Sequence, residues 1–154
     1  MVVSAAELVL RIKHIMSIKD NIKTTERFIE EVWRQGQIGK IDELFTANYV
    51  DHSFGPEPAG REQLKGFVAM FRAAFPDMQY DLHQIVAEGD TVVSRDTVRA
   101  THQGNFMGIP ATGKPVAVSA MHFLRFENGR IAEHWGITDV MGMMQQLGVV
   151  PPRG

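Results

Sequence analysis

The chain contains no cysteine in 154 residues. That absence removes disulfide frameworks, thiol nucleophiles and cysteine-ligated zinc, and it suits a reducing cytoplasm, the expected compartment. Charge of neither sign dominates: 16 Lys and Arg stand against 18 Asp and Glu, a formal net charge of -2, and the pI is near 6.3. With no basic arm and no run of like charges, nucleic acid is not an expected partner. No apolar run is long enough to span a bilayer, so no membrane partner is expected either. GxSxG, Walker and dinucleotide fingerprints are missing, which leaves nucleophilic hydrolysis and nucleotide chemistry without support. His14, His52, His83, His102, His122 and His134 show no paired ligand spacing on one element, so no metal site is expected. Internal repeats and low-complexity tracts are also lacking.

What is present is a chain that is 44% hydrophobic and long enough for one ordinary core. The first fifteen residues, "MVVSAAELVLRIKHI", are interrupted by Glu7, Arg11 and Lys13 and make a poor signal peptide. Ser4 and Glu7 have capping-box spacing, which allows a brief helix; alternatively Met16 is the natural start and residues 1–15 are a leader or extra segment. Residues 16–154 are read as a single domain. Ile18, Ile22, Ile29, Val32 and Trp33 form a helical stripe that Gly36 can end. "KIDELF" reads as a short helical piece leading into the brief strand of "NYVDHSF", and Leu64, Phe67, Val68, Phe71 and Phe75 repeat at helical spacing until Pro76.

After Pro76 the period falls from about 3.6 to 2, the signature of strands. Met78, Tyr80, Leu82, Gln84 and Val86 share one face of the first strand, and Glu88-Gly89-Asp90 turns into the next. A Gly- and Pro-rich connection over 103–115 follows, then a hairpin about Asn128-Gly129. Helices followed by a meander of strands give an α+β class, an antiparallel sheet curling around or against the helices.

Strand alternation exposes the chemistry. Along 92–100, Val92, Ser94, Asp96, Val98 and Ala100 make the inner face, because the opposite set carries Arg95 and Arg99. A carboxylate on an apolar face must be paired, hydrogen-bonded, protonated or reached by water. Val116, Val118, Ala120, His122, Leu124 and Phe126 form the apolar face of a later strand, with His122 in its middle, either a satisfied core histidine or a pocket group. On the last strand, Ala132, His134 and Gly136 oppose Ile131, Glu133, Trp135 and Ile137, and periodicity does not choose between them. Asp51 and His52 are either turn residues or an entrance to the site. Asp139 reads as an N-cap, and Met70, Met78, Met107, Met121, Met141, Met143 and Met144 as packers suited to core or adaptable pocket.

Together, "EEVWRQGQIGKIDELFTANYVDHSF", "FRAAFPDMQYDL", "THQGNFMGIPATGKPV" and "ENGRIAEHWGITDVMGMMQQLG" resemble the SnoaL-like polyketide cyclase and ester cyclase group of the NTF2-like superfamily, in order over about residues 20–149. The resemblance implies a cone: a strongly curved, mostly antiparallel sheet packed against N-terminal helices around a deep apolar pocket. It also implies frequent homodimers, no metal and no organic cofactor. In the characterised cyclases the reaction is an intramolecular aldol closure of a polyketide methyl ester, with an aspartate as acid/base and a histidine and polar residues beside the substrate. The comparison sets His122 at the pocket histidine, Asp51 at a pocket asparagine, and Gly136 where the catalytic aspartate stands. It therefore turns His134 toward the cavity and leaves the usual base missing.

Asp96 occupies a strand position where the family more usually has an apolar or aromatic residue, and it is the expected relocated base. His122 or Tyr80 would donate to a developing enolate oxygen. Catalytic roles thus fall to Asp96 and His122, and substrate contacts to Asp51, His52, Tyr80, His134, Phe71 and Leu124. The expected function is cofactor-independent acid/base chemistry on a small or medium apolar carbonyl compound, by cyclisation or isomerisation. The alternatives are dehydration or epoxide opening in the same pocket, and a noncatalytic small-molecule-binding or association module.

Overall fold

Apolar residues at helical spacing fill the first half of the chain, and the computed structural model, which describes residues 3–151, folds that half into helices. Helix α1 (Ala5–Arg27) opens on a capping box: Glu7 N–H donates to Ser4 Oγ at 3.2 Å, and Ser4 N–H donates to the Glu7 carboxylate at 2.8 Å. The brief N-terminal helix is therefore the start of one long helix. Residues 5–17 are exposed, and packing begins near Ile18 and Asn21. Met1 and Val2 of the expected leader, and residues 152–154, lie outside the described residues.

The helix runs on as a π-helical segment, Phe28–Arg34, in which Gln35 N–H reaches back five residues to Glu30 O at 3.0 Å. Gly36, with φ of 74°, ends it. Helix α2 (Ile41–Leu44) delivers strand β1 (Phe45–Asp51), and α3 (Arg61–Ala74) buries the Leu64, Val68 and Phe71 stripe. Strands β2 (Gln79–Glu88), β3 (Thr91–Thr101), β4 (Pro115–Glu127) and β5 (Arg130–Thr138) follow. Helix α4 (Val140–Leu147) closes the described chain, capped as expected by Asp139, which accepts from Gly142 N–H at 2.9 Å.

The five strands form one open sheet in the order β1-β5-β4-β3-β2. β1 runs parallel to β5 and every other pairing is antiparallel, so the fold is α+β. The register shifts in three of the pairings, β1–β5 between Phe45 and Val50 among them, and the other two reset the faces. One between Leu82 and Gln84 leaves His83 unpaired on β2, so the single face expected from Met78 to Val86 is corrected: Ile85 and Ala87 pack on the core, while Val86 is 56% exposed. The other leaves Ala132 unpaired on β5, so Ile131 and Ala132 are both buried.

The core is divided. One cluster joins Val32, Ile41, Phe45, Val68, Val92, Phe126 and Ile131; the other joins Phe71, Phe75, Ala100, Phe106, Val116 and Leu147. Each large side chain fully buried in these clusters stabilises the fold by about 1.5–3 kcal/mol. Along β3 and β4 the first cluster ends at Val92 and Leu124 and the second begins at Ala100 and Val118. Ser94, Asp96, Ala120 and His122 occupy the interval, and it is there that the polar side chains gather.

Candidate active site

A cavity of about 560 Å³ lies between the sheet's inner face and the helices. Asp96, His122, Asp51, Tyr80, His134, Phe71 and Leu124 all line it. Phe106 and Met107 of the 103–115 connection close over one side, and Phe28 and Trp33 of the π-helical segment form part of the roof.

Its polar groups form one diagonal stripe with a residue from each strand, in the sheet's spatial order: Asp51 on β1, His134 on β5, His122 on β4, Asp96 on β3 and Tyr80 on β2. Pairing register produces the stripe. Asp51 stands opposite His134, His134 opposite Leu124, and Ser94 opposite His122, so His134, His122 and Asp96 step along by two residues from strand to strand. Diagonal neighbours on one face lie within reach of long side chains.

The contacts follow from that spacing. His134 Nδ1 lies 2.9 Å from Asp51 Oδ2, and His134 Nε2 lies 2.9 Å from His122 Nδ1. His122 Nε2 is 3.4 Å from Asp96 Oδ2, the longest of the three contacts and not a formed hydrogen bond. Asp51 is fully satisfied: Tyr49 Oη donates to Oδ2 at 2.7 Å and Ser53 N–H donates to Oδ1 at 2.8 Å. Asp96 is only 1% exposed, and its Oδ2 has no hydrogen-bond partner. That oxygen is an unanswered acceptor, costly unless a proton or ligand meets it.

Electrostatics separate the two ends of the stripe. Burial opposes ionisation of Asp51, but hydrogen bonding and charge from His134, with donations from Tyr49 and Ser53, outweigh it and hold the carboxyl below its ordinary value of 3.8. The Tyr80 hydroxyl is pushed well above the usual phenol range, first by burial and then by the neighbouring Asp96 charge, so it is a neutral donor. Burial, followed by Asp51, does the same to Tyr49.

Gly136 is explained by the same contacts. A Cβ there would sit 2.8 Å from His134 Nε2 and 3.1 Å from His122 Nδ1. Only glycine leaves room for the imidazole pair to meet, and its N–H donates to Ser53 Oγ at 2.6 Å.

The expectation for His52 is corrected. Its ring turns away from the cavity, stacks on Trp135 at 4.6 Å and meets Glu133 at 3.0 Å, because successive residues beyond Asp51 point to opposite faces. Arg95 and Arg99 lie on the exposed face, where Arg99 pairs with Asp81 at 3.1 Å. Sequence reasoning passed over Tyr49 as a site residue and gave Ser94 no role. Both share a strand face with an acidic site residue two positions away, so alternation held the signal.

The family model described as SnoaL-like polyketide cyclase matches residues 23–147. Among curated proteins, aklanonic acid methyl ester cyclase DnrD of Streptomyces peucetius is 28% identical over 127 residues, covering 79% of this chain and 87% of that protein. Nogalonic acid methyl ester cyclase of Streptomyces nogalater is 26% identical over 119 residues, covering 73% and 87%. Among solved structures, AclR of Streptomyces galilaeus, described as a proposed hydroxylase, superposes with a TM-score of 0.80 at 28% identity over 89% of this chain and 86% of that one. IdmH of Streptomyces antibioticus, described as a proposed polyketide cyclase, gives 0.74 at 34% identity over 83% and 98%.

The lowered Asp51 sets a pH dependence. A carboxyl depressed on folding adds stability above its unfolded value, and that contribution is lost as pH falls through the lower folded value. Asp51→Asn is expected to destabilise the fold by roughly 1–3 kcal/mol near neutral pH, with the gap from wild type closing below about pH 4. Urea melts across that range check it; a gap independent of pH contradicts it.

Proposed function

The chain belongs to the SnoaL-like polyketide cyclase family, and from that premise we propose that it is a cofactor-independent acid/base enzyme closing a ring in an apolar carbonyl compound. The methyl ester of a polyketide acid, the substrate class named for the curated relatives, is the proposed ligand. The observation that carries this reading is the buried, unpartnered Asp96 Oδ2 facing His122 in a cavity walled mostly by aromatic and aliphatic side chains. Such a pair is suited to moving protons, and Asp96 Oδ2 has no structural bond to satisfy.

In the proposed cycle Asp96 starts ionised and His122 protonated. Asp96 takes the proton from a carbon next to a carbonyl; the C–H bond breaks and its electron pair enters the enolate. Tyr80, a neutral donor beside Asp96, and His122 supply the hydrogen bonds that stabilise the oxygen where charge develops. The enolate carbon attacks a second carbonyl carbon of the same molecule, forming the C–C bond and turning that carbonyl's π pair into an alkoxide. The alkoxide takes the proton from His122 Nε2. The proton on Asp96 then crosses to His122 Nε2, 3.4 Å away, and restores the starting state. The reaction is an isomerisation and consumes nothing else. The aromatic and aliphatic walls exclude water, which would otherwise quench the enolate.

A second reading keeps the acid/base pair but changes the reaction, and is favoured by the similarity to AclR, described as a proposed hydroxylase. Ring closure of aklanonic or nogalonic acid methyl ester, followed by chromatography, decides between them. Asp96→Asn and His122→Ala are each expected to slow closure by about 10²–10⁴-fold with folding intact. Undiminished closure in Asp96→Asn overturns the assignment. Binding of the esters without conversion by wild type favours a different reaction or a noncatalytic pocket.

The outer sheet face supports a homodimer. Met121 opposes Ile137 and Phe123 opposes Trp135, and all four are between 40% and 81% exposed, an apolar patch of the kind that marks association. Light scattering is expected to show a dimer that Phe123→Glu weakens to monomer; a monomeric wild type contradicts it. Among the described residues no helix is long and apolar enough to cross a membrane. The cysteine-free composition supports the cytoplasm as the proposed compartment.

A further inference from the structure

Three contacts link two carboxylates through two imidazoles, from Asp51 to His134 to His122 to Asp96. Each contact needs one proton between two electronegative atoms. Two neutral imidazoles carry one ring proton each, so with both carboxylates ionised one contact is left bare.

The Asp51 end dictates which one. Both Asp51 oxygens already accept, from Tyr49 Oη and Ser53 N–H, and the carboxylate offers no proton of its own. His134 Nδ1, 2.9 Å away, must therefore be the donor. A neutral His134 then presents only a lone pair at Nε2, so His122 must carry its proton on Nδ1 to make the 2.9 Å contact. His122 Nε2 is left bare and faces Asp96 Oδ2, which has no partner. The third proton belongs in that 3.4 Å gap, on either atom.

We infer that Asp51 and His134 are positioning residues that fix His122 in its Nδ1–H form, so that His122 Nε2 is the atom exchanging a proton with Asp96 and substrate. The inference deepens the acid/base reading, on which its catalytic part rests. When Nε2 takes up the proton, the positive charge is shared with His134, whose other nitrogen lies against the fixed Asp51 anion. Carboxylate–imidazole pairs hold a ring's tautomer and orientation in just this manner. Gly136 belongs to the device, because any side chain there would drive the two rings apart.

The test needs no substrate, so its outcome is separate from whether turnover is found. Nitrogen-15 NMR of the histidine rings in wild type is expected to show protonated Nδ1 on both His122 and His134, with a through-hydrogen-bond coupling between His122 Nδ1 and His134 Nε2. In Asp51→Asn the His134 proton is expected to redistribute toward Nε2, and His122 Nδ1 to lose its proton in response. His52, stacked on Trp135 outside the cavity, serves as the unaffected control. A bare His122 Nδ1 in wild type overturns the inference, as does a His122 spectrum identical in a folded Asp51→Asn. Should that variant fail to fold, Tyr49→Phe removes one donor to Asp51, and the wild-type coupling alone still decides.

Discussion

The contact between His134 and His122 is the constraint on which the cavity depends. At 2.9 Å it joins an anchored carboxylate on one edge of the sheet to an unanchored one near the other, across a floor between two apolar clusters. Asp51 has every acceptor satisfied and stays ionised, whereas Asp96 has an oxygen that nothing in the chain answers. Placing both in the core is costly; Tyr49, Ser53 and His134 offset that cost for Asp51, and no such donor meets Asp96 Oδ2. The same inequality sets the two ends apart: the fold holds one, and the other is the proposed base.

Gly136 shows how local geometry and chemistry are joined. Family resemblance puts an acidic residue at that position, and here the space is taken by the His134 ring with Asp51 behind it. Negative charge is still delivered to the same part of the pocket, now from β1 through an imidazole on β5. The proposed base comes from a different strand, as Asp96 on β3. A proposed hydroxylase and a proposed polyketide cyclase share this fold, so a reaction has to be argued from the side chains and not from the cone.

Much of this was legible in alternation alone. β3 and β4 pair without a break from Thr91 to Thr101, and there a period of two put Asp96 and His122 on the inner face. It failed where the period breaks. The bulge at His83 sent Val86 outward, and the bulge at Ala132 buried two successive residues and hid which face His134 takes. The π-helical segment was invisible because it changes hydrogen-bond register and not residue type. The Asp51–His134 contact joins residues 83 apart through the parallel β1–β5 pairing, which no local pattern predicts. His52 was misplaced for the related reason that its partners, Trp135 and Glu133, come from that same distant strand.

The most direct measurement of the central claim is solvent deuterium uptake into the acidic C–H positions of β-keto esters that bind the cavity. Uptake well above buffer that collapses in a folded Asp96→Asn, with ester binding retained, is the predicted result. Uptake that survives the loss of Asp96, or none above buffer from an ester shown to be bound, contradicts the account.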